Sequence, residues 1–176
     1  MKIKLISLAL VAFSSVALAD SANTVQFKGE VSEQTCNVNI NGNEGNPIVL
    51  LPTVPAADLA SPGATAGATE FTVNVTGCNV ASSDTAIKTV FAGNNPTANG
   101  NLGNAGDAQN VSIQLMDSNG TTPLVFATST TVTTSPMTLQ TGATSTSQTL
   151  SARYYAEGIA TPGAVLATAQ YAISYN

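Results

Sequence analysis

Apolar and polar side chains alternate along several short stretches of the chain. The alternation is clearest at residues 24–27, 71–75 and 111–115. Successive side chains of a β-strand point to opposite faces, so a period of two predicts half-buried strands. Other apolar or β-branched stretches of strand length add further candidates, which are residues 48–54, 87–91, 123–126, 148–157 and 165–175. No convincing amphipathic helix follows residue 19.

Turn-forming dipeptides separate the predicted strands. They include Asn41-Gly42, Asn119-Gly120 and Pro162-Gly163. Asn and Gly tolerate positive φ and Pro fixes φ near −65°, so such pairs favour chain reversals. Residues 93–106 are rich in Asn and Gly and are predicted to form a loop. Many short strands divided by turns, with no internal repeat and no long linker, are typical of one all-β domain of the immunoglobulin-like sandwich type.

Residues 1–19 have the pattern of an export signal. Lys2 and Lys4 precede an apolar run, and Ala17-Leu18-Ala19 supplies the small residues of a cleavage site. The run is shorter than the ~20 residues that cross a bilayer as a helix. We therefore predict a signal peptide with Asp20 as the first mature residue. Cleavage after Ala17 and a buried N-terminal helix are the competing interpretations.

Charge is scarce and mostly negative. The chain carries ten acidic and five basic side chains, for a net charge of −5. A nucleic-acid-binding protein needs clustered Lys and Arg to displace counterions from phosphates, so we expect no nucleic-acid partner. The same balance disfavours anionic lipid surfaces. A disordered, Thr- and Ser-rich stalk is the alternative to a folded domain, but these residues alternate with apolar ones at a strand period.

Cys36 and Cys78 are the two cysteines of the chain. An exported protein with an even number of cysteines favours a disulfide. It would close a loop of about forty residues, worth roughly 4 kcal/mol in the chain-entropy description. A metal site is the rival interpretation. Two cysteines without any histidine make a poor set of metal ligands, so we predict a structural disulfide and no metal.

No catalytic arrangement stands out in the sequence. The chain has no histidine, which removes Ser-His-Asp and Cys-His nucleophiles. Glu30 and Glu33 would point to opposite faces of a strand and so would not form a carboxylate pair. The glycines at 100, 103 and 106 have the wrong spacing for a dinucleotide-binding loop. We therefore expect no enzyme activity, no catalytic residue and no cofactor.

Both ends of the mature chain keep a strand pattern. From residue 165 onward the odd positions are apolar and the even ones are mostly polar, up to the last residue. Near the N-terminus four alternate residues share one face, and these are Ser21, Asn23, Val25 and Phe27. Chain ends are normally frayed and polar, so something must hold an apolar terminal strand. Each segment is either an ordinary strand of a complete sandwich or, at the N-terminus, a free arm that pairs with a partner's open edge.

The landmarks of the whole mature chain resemble those of chaperone–usher pilins, particularly the major shaft subunits of type 1-like fimbriae. The landmarks are 27-Phe-Lys-Gly-Glu-Val-31, Cys36-Asn37-Val38, Val49-Leu50-Leu51, Phe71-Thr72-Val73, Gly77-Cys78, Val111-Ser112-Ile113-Gln114-Leu115, Tyr154-Tyr155-Ala156, Gly163 at the fourteenth position from the end, and the penultimate Tyr175. Similar pilins often have Gly at the position of Asn23.

The resemblance implies an incomplete immunoglobulin-like sandwich that lacks its final strand and is completed by donor-strand exchange. Residues 20–28 would be the donor arm and 29–176 the pilin domain, with Ser21, Asn23, Val25 and Phe27 as the donor face. The acceptor groove and chaperone-docking edge would comprise Gly163, Tyr171, Ile173 and Tyr175, and a Cys36–Cys78 disulfide would staple the sandwich.

The same resemblance implies a set of partners and a location. The partners would be neighbouring pilin subunits, a periplasmic chaperone, an outer-membrane usher and a tip adhesin or adaptor. The protein would pass through the periplasm and form an extracellular fimbrium that supports adhesion. A minor adaptor, or an adhesin-type subunit that binds a host glycan, is the alternative function. A secreted enzyme or enzyme inhibitor is a third.

Overall fold

The computed structural model describes residues 35–126 and 131–175, and the described chain is almost entirely β. A single 3₁₀ turn, Ala56–Leu59, is the only helical element in these residues. The strands are β1 Asn37–Ile40, β2 Thr65–Thr76, β3 Thr85–Gly93, β4 Leu102–Gly103, β5 Val111–Met116, β6 Thr131–Thr133, β7 Met137–Leu139, β8 Thr146–Ala156 and β9 Ala169–Tyr175.

Five strands form the first sheet, in the order β1-β2-β8-β5-β4. All neighbours are antiparallel. The two long strands β2 and β8 lie at its centre, with Phe71 opposite Leu150 and Val73 opposite Gln148. Because both strands alternate, their apolar residues fall on the one face that is buried.

The second sheet is built around β3. On one side β3 pairs with β9 along seven residue pairs, from Ile87 opposite Tyr175 to Gly93 opposite Ala169. On the other side it pairs first with β7 and then with β6. Among the described residues β9 has no second strand neighbour, so it is an edge strand of this sheet.

The two sheets enclose one main apolar core. Its most deeply buried side chains come from both sheets and from the segments that connect them, and they include Val73, Val75, Ile87, Phe126, Leu139 and Leu150. Phe71 of the first sheet meets Phe91 of the second edge to face, with ring centroids 6.5 Å apart. The alternating stretches of the sequence therefore supply the two inner faces of a sandwich. The all-β prediction is confirmed.

A disulfide joins Cys36, just before β1, to Cys78, just after β2. The disulfide prediction is confirmed. Between the two cysteines, the Asn41-Gly42 pair forms the predicted turn with φ of 52° and 81°. Ile40 and Asn43 exchange backbone hydrogen bonds of 3.1 and 2.9 Å across it. Left-handed φ at both central positions is the reason that Asn and Gly stand there.

Several predicted strands differ from the structure. Residues 48–54 form no strand and pair with no strand in the described chain. Residues 123–126 form only a single bridge to Met116. The last strand begins at Ala169 and not at residue 165. Leu166 and Thr168 are hydrogen-bonded to loop residues, and the chain starts to pair with β3 only after them. Residues 24–27 and the predicted signal peptide lie outside the described residues.

Candidate binding groove

An apolar cleft of about 950 Å³ runs along the edge of the sandwich, between residues 45–51 and residues 165–171. Core side chains of both sheets form its floor, and they are Phe71, Phe91, Leu102, Ile113, Leu115 and Ala152. The main core therefore borders this cleft along one side of the sandwich. A surface of this shape and composition suits an extended apolar segment.

Residues 46–54 form the first wall. Val49 and Leu51 of this segment pack against the core, while Ile48 and Leu50 point away from it with 85% of each side chain exposed. No hydrogen bond joins the backbone of residues 46–54 to the rest of the described chain. Extended backbone with unused donors and acceptors is an open edge that another strand can pair with.

The second wall consists of β9 and the residues that precede it. Tyr171 lines the groove. Ile173 and Tyr175 lie on the same face of β9, and all three side chains are half-buried against the core. Of the four residues that the resemblance assigns to the acceptor groove, only Tyr171 lines this cleft; Ile173 and Tyr175 follow it on the same face of β9. Ser21, Asn23, Val25 and Phe27, which the resemblance assigns to a donor face, lie outside the described residues.

Gly163, the fourth assigned residue, lies beyond the end of the groove. It lines a smaller adjoining cleft of about 450 Å³, which shares Tyr154 and Val165 with the main groove. A Cβ atom at Gly163 would lie 2.5 Å from the backbone nitrogen of Ala108. That nitrogen donates a hydrogen bond of 3.0 Å to the carbonyl of Ala164. Glycine is therefore required here by the close approach of two backbone segments.

The Asn104 side chain fixes the second wall in place. Its Nδ2 donates to the carbonyl of Ala108 at 2.8 Å. Its Oδ1 accepts hydrogen bonds of 2.8 Å from the backbone N–H groups of Gly106 and Leu166. One amide side chain thus holds its own loop in shape and ties that loop to the chain entering β9. Sequence reasoning missed Asn104, although an Asn between glycines can signal a side chain that bonds the backbone of its own loop.

Glu157, at the end of β8, anchors the loop that carries Leu102 into the groove floor. Its carboxylate accepts hydrogen bonds from four neutral donors. They are the hydroxyls of Ser112 at 2.6 Å and Thr97 at 2.8 Å, and the side-chain amides of Asn101 at 3.2 Å and Asn99 at 2.5 Å. Partial burial by itself would raise the pKa of Glu157, but these hydrogen bonds outweigh it and hold the pKa below its ordinary value.

A metal site, a membrane-spanning helix and an ion pair are further candidates in the described residues, and none of them is found. No group of three or more His, Cys, Asp or Glu side chains in residues 35–126 and 131–175 is placed to hold a metal ion. None of the helices found there could cross a membrane by its length and apolarity. The described part of the chain also holds no ion pair, and Arg153 bonds instead to the amide oxygen of Gln114 at 2.7 and 2.9 Å.

Comparison with known proteins decides the family. The family described as fimbrial protein matches residues 25–176. The chain is a member of the fimbrial protein family. The F17 fimbrial protein of Escherichia coli is 36% identical over 182 residues, which cover 99% of each chain. A protein of Stenotrophomonas maltophilia called major fimbrial subunit SMF-1 is 34% identical over 95% of this chain and 100% of its own.

A solved chaperone–usher pilus structure shows the same fold. It superposes with a TM-score of 0.63 over 92% of this fimbrial subunit and 100% of its own chain, at 15% identity. The expected family and fold class are thereby confirmed. Fimbrial subunits are structural and not enzymatic, so the expectation of no enzyme activity is confirmed by the family. The chain is a subunit of a fimbria on the cell surface and polymerises with other pilins.

Proposed function

We propose that this fimbrial subunit is a shaft subunit that polymerises by donor-strand complementation, with residues 20–28 of one copy filling the groove of the next. The open groove carries the proposal. Its floor is the main core, one wall has no backbone partner in the described chain, and the other wall is the edge strand β9. A strand laid between the walls would cover the core and pair with backbone on both sides.

The dimensions of the arm support this pairing. The alternating set from Ser21 to Phe27 spans seven positions, and seven consecutive residues, 45–51, line the cleft on the side of the first wall. At about 3.3 Å per residue, seven extended residues reach roughly 23 Å. The face formed by Val25 and Phe27 brings apolar groups to the floor. Burying them stabilises the joint at about 25 cal/mol per Å² of apolar area removed from water.

The open core also explains the partners that we propose. Before assembly an open apolar cleft along the core would be an aggregation hazard, so a periplasmic chaperone that lends a strand to the groove protects it. An outer-membrane usher then exchanges that strand for the arm of the next subunit, behind a tip adhesin or adaptor. In this scheme residues 1–19 are the signal peptide that directs export, residues 20–28 the arm and 29–176 the pilin domain.

Rearrangement of the arm tests the mechanism. Deleting residues 20–24 should leave a subunit that still binds the chaperone but cannot fill another groove, so it accumulates as chaperone complexes. Moving residues 20–28 behind Asn176 through a flexible linker should give a soluble monomer that fills its own groove. Oligomeric state and melting temperature without chaperone are the measurements. An aggregated rearranged chain, or a well-folded monomer after the deletion, would show that the fold is already complete.

A matched pair of substitutions tests the β9 wall. Ile173 faces the core, whereas its neighbour Ala172 is exposed on the opposite face. We expect Ile173→Asp to abolish co-purification with the chaperone while synthesis and signal cleavage continue, and Ala172→Asp to leave binding intact. Normal fibres from Ile173→Asp would contradict the proposed joint.

The shaft role has its own test. The relative named a major fimbrial subunit, matched over its full length, supports this role. Electron microscopy of cells lacking the gene should show loss of the whole fibre. Fibres of normal number and length that lack only adhesion would instead identify a minor adaptor or adhesin-type subunit.

A further inference from the structure

Three turns of the described chain contain an Asn-Gly pair, and these pairs are Asn41-Gly42, Asn99-Gly100 and Asn119-Gly120. Asn followed by Gly is chemically labile, because glycine has no side chain to hinder the attack of its own backbone nitrogen on the Asn side chain. The attack requires that this nitrogen is free of other bonds. A hydrogen bond donated by the Gly N–H therefore slows the loss of the Asn amide.

The pair at residues 99 and 100 is protected by backbone and by a carboxylate. The Gly100 N–H donates to the backbone carbonyl of Thr97 at 2.9 Å. The side-chain nitrogen of Asn99, which would have to leave, donates to Glu157 at 2.5 Å. Gly100 is also buried. Both the attacking nitrogen and the leaving nitrogen are thus held in place.

The pair at residues 119 and 120 is protected in a similar way. The Gly120 N–H donates to the backbone carbonyl of Asp117 at 2.8 Å. Both ends of the Asn119 amide are bonded to Thr122, because Oδ1 accepts from its N–H at 2.8 Å and Nδ2 donates to its hydroxyl at 2.7 Å. The Asn119 side chain therefore cannot turn toward Gly120 without losing several hydrogen bonds.

The pair at residues 41 and 42 is protected by a side chain and not by backbone. The Gly42 N–H donates at 2.9 Å to Oδ1 of Asn39, a buried residue of β1. The same oxygen accepts from the side-chain amide of Asn74 at 3.0 Å. Asn41 and Gly42 are both exposed, and no atom lies within 4 Å of the Cβ position of Gly42. One side-chain oxygen thus restrains the nitrogen that would react.

We propose that Asn41 is a deamidation site of this fimbrial subunit and that Asn39 is a positioning residue that limits the rate. The backbone nitrogen of Gly42 attacks Cγ of Asn41, so that a carbon–nitrogen bond forms and the bond from Cγ to Nδ2 breaks. Ammonia leaves with the proton of the Gly42 N–H. Water then opens the cyclic imide at either carbonyl, which gives aspartate or isoaspartate at position 41.

The two products change the turn to different extents. Aspartate keeps a side-chain oxygen for the Thr72 N–H, which donates to Asn41 Oδ1 at 2.8 Å. Isoaspartate adds one carbon to the backbone of the turn, where Ile40 and Asn43 exchange hydrogen bonds of 3.1 and 2.9 Å. The chain runs from this turn into the first groove wall. Isoaspartate at position 41 would therefore displace the approach to that wall.

Ageing of purified fibres tests the assignment without any substitution. Fibres are incubated in mildly alkaline buffer, dissociated and digested, and mass spectrometry then measures Asn, aspartate and isoaspartate at each of the three pairs. We expect Asn41 to lose its amide several-fold faster than Asn99 and Asn119 in the same sample. Equal or slower loss at Asn41 would overturn the assignment. The reaction takes place within one subunit, so failure of the donor-strand mechanism would leave this result unaffected.

A matched pair of substitutions tests the role of Asn39. Asn39→Ala removes the acceptor of the Gly42 N–H and should raise the deamidation rate at Asn41 by about two- to tenfold, the factor that one hydrogen bond supplies. Asn39→Asp keeps an acceptor oxygen and should restore the slow rate. The rates at Asn99 and Asn119 should stay unchanged in both variants. An unchanged rate at Asn41 in Asn39→Ala, or an equal rise in both variants, would contradict the role of Asn39.

Discussion

The close approach at Gly163 makes a strong prediction about the groove. In Gly163→Ala the new Cβ would lie 2.5 Å from the backbone nitrogen of Ala108 and 2.8 Å from its Cα. Ordinary carbon contacts are about 3.5–4.0 Å, so the two segments must separate by roughly 1 Å. No flexible side chain can yield, since both obstructing atoms belong to backbone. The displaced segment is the one that continues into the second wall.

The cost follows from two contributions. Forcing an extra methyl into a packed site costs about 1–3 kcal/mol. Separation also weakens the hydrogen bond from Ala108 N–H to the carbonyl of Ala164, worth about 0.5–1.5 kcal/mol. We therefore expect Gly163→Ala to destabilise the domain by about 2–4 kcal/mol. At about 2–4 °C per kcal/mol for a domain of this size, the melting temperature should fall by roughly 5–15 °C.

Thermal unfolding of the self-complemented chain, with residues 20–28 moved behind Asn176, measures this loss. Gly142→Ala is the matched control, because Gly142 has φ of 82° but open space around its Cβ position. Gly142→Ala should lower the free energy of unfolding only by the strain of a left-handed alanine, about 1–2 kcal/mol. If Gly163→Ala melts no lower than Gly142→Ala, the close approach does not explain the glycine.

Three further predictions concern the supports of the groove. Free-thiol labelling of denatured, unreduced protein should find no thiol, and Cys36→Ser should cost about 2–5 kcal/mol and deplete the secreted pool. Asn104→Ala should cost about 2–4 kcal/mol in thermal unfolding and expose the Leu166 amide to hydrogen exchange, because four side-chain hydrogen bonds are lost. The lowered pKa of Glu157 means that its stabilisation is present above pH 4.5 and lost as pH falls through the lower folded value. Melting curves of Glu157→Gln should lack that acid-dependent part, and an unchanged pH profile would contradict it.

The strands that the sequence predicts well are those with a long buried face. In β2, β3 and β8 the alternation spans at least five residues and burial follows it, whereas β5 alternates in sequence but is buried along its whole length. The short strands β6 and β7 were missed. Three residues each, set among Thr and Ser, give no period to detect, and only their register against β3 defines them.

The groove itself could be predicted only in part. The alternation of residues 48–54 correctly indicates which side chains face the core, but these residues form no strand in the described chain. Apolar positions at Tyr171 and Ile173 were predictable from their period. Gly163 and Asn104 were harder to interpret, because their roles depend on contacts with Ala108 and Leu166 that are distant along the chain. A sequence pattern indicates which face of a strand is apolar, but it does not indicate which loops come into contact in the fold.

The position of the disulfide has a consequence for how a fibre carries tension. A pull transmitted along the segment before Cys36 reaches the folded domain at that residue. Without the covalent link the force would act first on β1, whose four residue pairs with β2 could separate one after another. The Cys36–Cys78 bond passes the load directly to the far end of β2, a strand flanked on both sides. Reduced fibres should therefore lengthen at a lower force than oxidised ones, with the first yielding event inside a subunit and not at the joint between two.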